Sequence, residues 1–249
     1  MLRMLIYTYS KTYTQELAIE LIPLGIDPIE TIDVADVERW VEKDSSLNVL
    51  LTESPDVDFL QFVRQKNPAL HIFLIAHSSV KPADLIRISK LGIQSIINFQ
   101  DNSNQLAEDV IRTVIQQNIR TQDKRLHVRV QPKSFEKLMA SIYIRPRNRF
   151  LYGSIIDISA GGVAIRIPEE PDSEHLISGA LFDPLILSLK GSDVKTVSTM
   201  VGKRQNFAGF KFDNVETRDM RIIADYVHSR LMDNARNFMD RFVRGEGIS

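Results

Sequence analysis

Along the first 120 residues, short apolar runs rich in β-prone side chains alternate with stretches of helical spacing. "MLIYTYS" leads into "TQELAIELIPLG", whose Leu17, Leu21 and Leu24 recur at intervals that line one helix face. "IETID" precedes "VADVERWVEK", "LNVLLTES" precedes "PDVDFLQFVRQKN", and "HIFLIAHS" precedes "KPADLIRISKLG". "QSIINFQ" then opens onto "DNSNQLAEDVIRTVIQQNIR", a long amphipathic segment with Asp101 or Ser103 in place to cap it. The third and fourth runs are apolar almost throughout, as parallel strands covered on both faces should be.

Five βα repeats predict a doubly wound α/β domain, flavodoxin-like in its order, over residues 1–120. Beyond Arg120 the period changes. "LMASIYI", "GSIIDIS", "GVAIRI", "DPLILSLK", "KTVSTMVGK" and "FAGFKF" are short strand candidates, most of them divided by Asn, Gly, Pro or Asp. One helical stretch, "TRDMRIIADYVHSRLMDNARNFMDRFV", follows them. Six strands and a terminal helix predict a small β-barrel over residues 121–249. The expected fold class is therefore α/β followed by all-β, in two domains.

Composition narrows the function classes. The 249 residues contain no cysteine, which excludes disulfides, zinc–thiolate sites, iron–sulfur clusters and cysteine nucleophiles. The opening "MLRMLIYTYSK" is too short in its apolar core for a signal peptide. No apolar run approaches the roughly 18 residues that would cross a bilayer. The expectation is a cytoplasmic protein with no membrane insertion. Residues 1–120 carry 11 Lys+Arg against 16 Asp+Glu, and the remainder 20 against 16. A net charge of about +4 over the second half is too weak for a general nucleic-acid partner, while leaving room for a local anionic ligand.

The spacing of the first half resembles the receiver domain of bacterial response regulators over residues 1–120. That family implies an acidic pair after the first strand, a nucleophilic aspartate ending the third and a lysine ending the fifth. Here the first strand ends in Thr8, Tyr9 and Ser10, the third in Leu51 and Thr52, and the fifth run holds Asn98 and Phe99. Glu53 is the nearby carboxylate, and its place after a strand predicts a solvated surface acid. The expectation is a pseudo-receiver that takes no phosphoryl group. It would instead offer the face of its fourth or fifth helix to a protein partner or to its own copy.

In the second half, "GSIIDISAGGVAIRI" places Asp157, Ser159, Gly161 and Gly162 between two apolar runs, where a tight turn calls on glycine for positive-φ positions. Upstream, "DKRLHVRVQP" carries Arg125 and Arg129 as R-x-x-x-R. Alone, that spacing is compatible with two solvated linker charges. Followed by D-x-S-x-x-G inside a β-turn-β element, it resembles the PilZ domain, the bacterial receptor for cyclic di-GMP. "GFKF" (209–212) is similar to that family's G-V-x-F strand, and the resemblance covers residues 121 to about 235. It implies that Arg125, Arg129, Asp157, Ser159 and Gly162 bind cyclic di-GMP. Arginine grips phosphate with a planar fork and can bond to, or stack on, guanine. Aspartate accepts from the guanine N1–H and N2–H₂ edge, a serine hydroxyl serves beside it, and glycine lets a base approach. The family further implies that the arginine segment is flexible until it wraps the ligand, ordering the junction between the domains.

Other polar features call for plainer readings. Lys124 stands where many family members have a further arginine, which implies a weaker phosphate contact or a different number of bound ligands. His127 is expected to be a spacer in the linker. Arg145, Arg147 and Arg149 read as a solvated hairpin tip, and Glu169, Glu170 and Asp172 as a solvated acidic loop. His71, His77, His175 and His228 lack metal-ligand spacing. Met232, Phe238, Met239 and Phe242 form a stripe that packs on the barrel or on a second subunit, giving a homodimer. The function this predicts is a non-catalytic cyclic di-GMP effector without cofactor or metal. It would act on partner proteins that control motility, adhesion or exopolysaccharide output. The rival is an adaptor whose PilZ fold has lost its nucleotide.

Overall fold

The computed structural model describes all residues except 78–81, 120–124, 169–170 and 244–249, and gives no side-chain placement at 82–85, 171–172, 239 and 241–243. Lys124, Glu169 and Glu170, together with the side chains of Asp172, Met239 and Phe242, thus lie outside the described residues. The chain divides into two compact units, Met1–Leu126 and His127–Ser249.

The first unit is a five-stranded parallel sheet of β1 (Leu2–Tyr7), β2 (Ile26–Thr31), β3 (Val49–Thr52), β4 (His71–Ala76) and β5 (Ser95–Asn98), in the order β2-β1-β3-β4-β5. Helices α1 (Lys11–Leu21), α2 (Val34–Lys43), α3 (Val57–Lys66), α4 (Pro82–Ser89) and α5 (Ser103–Gln116) link and follow the strands. This is the flavodoxin-like order expected from the repeats. The side-chain period of two divides each strand between two cores. Met4, Ile6, Leu51, Phe73 and Ile75 cluster with Leu17 and Leu21 of α1 and with Leu106 and Val110 of α5. Leu5, Leu50, Ile72 and Leu74, on the alternate positions, are buried as well.

Three local expectations are corrected. Leu24 does not extend the first helix, which ends at Leu21; a turn closed by Leu24 N–H to Leu21 O and Gly25 N–H to Ile22 O follows instead. The last helix of the unit is capped by Asn102 rather than Asp101 or Ser103: its Oδ1 accepts from Asn104 N at 2.9 Å and Gln105 N at 3.4 Å. β2 begins three residues before "IETID" because it is an edge strand, where Pro28 can be tolerated opposite Met4.

At the opposite end of the strands from the loops that follow them, Arg3 meets Asp44 at 2.9 Å and Asp27 at 3.4 Å, with its guanidinium 5.8 Å from the centre of the Trp40 ring. Burial raises the Asp27 carboxyl above its usual range despite the opposing pull of Arg3. Folded Asp27 therefore holds its proton more tightly than unfolded Asp27 does. Its stabilising share is present below the unfolded value, about pH 4, and is lost as the pH rises through the folded value. Asp27→Asn is accordingly expected to gain in melting temperature over the natural chain between about pH 4 and pH 7; a gap that stays constant over that range would contradict this.

The second unit is a closed barrel of β6 (Met139–Ile144), β7 (Arg149–Ser159), β8 (Gly162–Arg166), β9 (Leu181–Leu189), β10 (Ser192–Arg204) and β11 (Phe207–Val215) in the order β10-β11-β8-β7-β6-β9. α6 (Thr217–Val243) ends it. Inward positions alternate, with Ile142, Leu151, Ile155, Ile165, Leu185, Leu187 and Phe210 buried. The core hydroxyls of Thr196 and Ser198 satisfy one another at 2.7 Å, and Thr196 also donates to Leu185 O. Ile223, Ala224, Tyr226 and Val227 of α6 are buried, as are His228 and Arg230. "IRPRNRF" forms the β6–β7 connection: Arg145–Arg147 make a 3-10 turn, and Asn148 takes a left-handed φ of 49° while accepting from Tyr143 Oη at 2.7 Å. Arg145, Arg147 and Arg149 are exposed, and Arg147 reaches His175 at 3.2 Å.

Candidate ligand-binding site

Arg125 lies near the end of the first unit and is exposed. The other four candidate residues belong to the second. Past a bend at Leu126–His127, the chain reaches β7 at Val130. Val130 N–H donates to Ile158 O at 2.9 Å, and Ile158 N–H donates back to Val130 O at 3.0 Å. Val128 and Val130 are buried, while Arg129 between them is exposed. From Val128 onward the segment lies as a strap on β7, and two valines at alternate positions give it an apolar face.

The antiparallel bridge sets a register that aligns Arg129 with Ser159 and His127 with Gly161. Asp157 and Ser159 flank the bridged Ile158, so Arg129 lies opposite the stretch of β7 that carries Asp157 and Ser159. Asp157 is half-buried, beside a bulge in the β7–β8 pairing between Ile155 and Asp157. Ser159 is 5% exposed, and its hydroxyl donates to Gly162 O at 3.2 Å, bracing the turn. One lone-pair side of that hydroxyl is still able to accept.

The turn glycines have a different cause from the one expected. Neither Gly161 nor Gly162 has a positive φ. A Cβ on Gly162 would lie 2.3 Å from Phe210 O, because β8 is pressed against β11 there. A Cβ on Gly161 would lie 2.3 Å from Cδ2 of His127. His127 is therefore more than a spacer: its imidazole rests on the turn between the two arginine positions. An x-residue in R-x-x-x-R gives no such signal in sequence. The pairing of that segment with a glycine-rich turn is the clue that was available.

At the ends of the parallel strands, the positions of a receiver's acidic pocket hold a packed cluster. Thr8 and Thr52 are fully buried; Thr8 Oγ1 meets Thr14 Oγ1, and Thr52 Oγ1 accepts from Ser54 N. Glu53 is 5% exposed, which overturns its reading as a solvated acid. Its Oε2 accepts from Tyr9 N at 2.9 Å, and its Oε1 lies 3.5 Å from His77 Nε2. The His77 ring stacks on Phe99 at 4.1 Å, Tyr13 packs on Phe99, and Tyr13 Oη donates to Gln100 O at 2.6 Å. Burial, with the Glu53 charge next, pushes the Tyr13 phenol far above its usual value. Among the described residues, no group of three or more His, Asp or Glu side chains is arranged to hold a metal ion, and no helix is long and apolar enough to cross a membrane.

Several known proteins each match about half of this chain. A protein of uncharacterised function from Aquifex aeolicus is 31% identical over 126 residues, covering 49% of this chain and 56% of that protein's length. The PilZ domain of YcgR from Escherichia coli with c-di-GMP is 16% identical over 48% of this chain and 99% of that one, with a TM-score of 0.39. A response regulator receiver domain protein from Clostridium thermocellum is 14% identical over 47% of this chain and 98% of that one, with a TM-score of 0.40. The PilZ family model matches residues 123–229, a span that takes in both arginines, the polar turn and most of the barrel. The carboxy-terminal half of the chain carries a PilZ domain.

Proposed function

We propose that the chain is a non-catalytic effector that binds cyclic di-GMP and passes the level of this second messenger to partner proteins. Residues 121–249 are the sensor in this reading, and residues 1–120 the interaction module. The observation that carries it is the pair of hydrogen bonds between Val130 and Ile158, which lays the strap holding Arg129 beside the stretch from Asp157 to Ser159. Arg125 and Arg129 grip the phosphates or stack on a base, Asp157 reads a guanine edge, Ser159 accepts beside it, and Gly162 keeps the turn thin. The ligand needs neither cofactor nor metal.

The first unit meets its partner through the fourth or fifth helix, where Ile86 on α4 and Ile115 on α5 are exposed apolar side chains. Motility, adhesion or exopolysaccharide machinery in the cytoplasm is the output, with α6 available for a homodimer. The module works without phosphorylation. Incubation with acetyl phosphate and Mg²⁺ is expected to leave the intact mass unchanged, whereas an added phosphoryl group on the first unit would contradict the pseudo-receiver reading.

Isothermal titration of the full chain with cyclic di-GMP, with GTP and cyclic AMP as controls, tests the sensor. Binding confined to cyclic di-GMP supports it. No heat and no competition with a labelled ligand would favour the adaptor, in which Ser159 and Gly162 persist because they build the turn. The hydroxyl-to-carbonyl bond inside that turn is what favours this second reading.

A further inference from the structure

The residues that follow Arg129 are gripped by the last helix. Gln131 O accepts from Arg230 Nε at 3.1 Å. Lys133 Nζ pairs with Asp233 at 2.7 Å, and Asp233 also receives Arg230 Nη1 at 2.6 Å. Glu136 Oε2 accepts from Tyr226 Oη at 2.9 Å and from Lys133 N at 2.9 Å. Tyr226, Arg230 and Asp233 are four and then three residues apart, so they form one face of α6.

Arg230 is 9% exposed, and burying a guanidinium carries a large desolvation cost unless its hydrogen bonds are well placed. One of those bonds goes to the backbone of a segment, 131–138, that is neither helix nor strand. The buried Ile223, Ala224 and Val227 already anchor the helix. What the polar row adds is a fixed position for the segment. The lowered carboxyl of Asp233, held down chiefly by Lys133, is consistent with a pair that forms at neutral pH.

We propose that Arg230, with Tyr226 and Asp233, is a positioning residue for the ligand arm. By holding Gln131, Lys133 and Glu136 on the last helix, it sets where the strap meets β7 and in which direction Arg129 leaves the barrel. This rests on the cyclic di-GMP reading above, and it makes α6 a lever on ligand affinity. Anything that shifts the helix shifts the arginine.

The test uses the full chain with Arg230→Gln and, in case that variant does not fold, Tyr226→Phe, which keeps the ring and removes the bond to Glu136. Two quantities are read: affinity for cyclic di-GMP, and amide exchange at Val130 and Ile158 compared with Leu187 in the barrel wall. Local release is expected to speed exchange at Val130 and Ile158 about tenfold, leave Leu187 unchanged, and weaken binding by a similar factor. Unchanged exchange at Val130 would overturn the proposal, and so would equal acceleration at all three amides, which marks general loosening. If the natural chain binds no cyclic di-GMP while Val130 is still selectively released, the functional reading falls and the clamp stands. If the natural chain binds and the variants bind equally well, the clamp does not position the arm.

Discussion

Arg129→Ala is expected to lower the affinity for cyclic di-GMP by about 2–5 kcal/mol, a factor of roughly thirty to several thousand. The side chain stands between two buried valines, so truncating it leaves the docking of the strap in place. The melting temperature is therefore expected to hold while binding collapses. Arg129→Lys recovers little, because an ammonium supplies a point charge without the planar fork that grips phosphate and stacks on a base. Arg125→Ala is expected to follow the same direction. Calorimetric titration of both alanine variants checks this, and unchanged affinity in both would remove the arginines from the site.

The second large effect separates two adjacent glycines. Gly162→Ala drives a methyl group into the Phe210 carbonyl, a backbone group that cannot swing aside, and is expected to cost about 1–3 kcal/mol of barrel stability. Gly161→Ala first meets the imidazole of His127, a side chain that can swing away. Its expected cost falls on ligand binding, because the ring and the strap behind it are displaced. Thermal melts should therefore separate the two variants, with Gly162→Ala melting lower, while titrations are expected to show weaker binding in both, because Gly162 belongs to the proposed site as well. His127→Ala added to Gly161→Ala restores the space, and binding is expected to recover. If Gly161→Ala destabilises as much as Gly162→Ala does and the double variant gains nothing, the ring has no such place.

Much of this architecture could be read from periodicity. The five βα repeats and six short strands depend on alternation and helical spacing, which report burial directly. Element ends were less legible. Pro28 suggests the end of a strand unless the strand is known to lie at the edge of its sheet, and that is a tertiary fact. Asn102 caps α5 ahead of two equally plausible neighbours because only its side chain reaches Asn104 N and Gln105 N. Glu53 shows the same limit. A lone acid after a strand looks solvated, and only the arrival of Tyr9 N and His77 from other loops makes it a buried partner. The arginines, Asp157 and Ser159 were legible because they form a motif. His127 and Arg230 belong to no motif; their partners, Gly161 and Gln131, lie 34 and 99 residues away along the chain.

The Val130–Ile158 bridge has a consequence for the barrel's solubility. β6 pairs with β7 only from Arg149 to Ser154, and past that point the outer edge of β7 runs on without a barrel strand beside it. The strap covers that edge, using the main-chain groups of Ile158 that another polypeptide would otherwise seek. An apolar, β-branched run such as "SIIDIS" with its edge uncovered is the kind of template that recruits strands from neighbouring chains. The segment that carries the arginines thus doubles as a guard. If it lifts, the main-chain groups of Ile158 are left open to strand addition, and self-association is expected to rise with protein concentration.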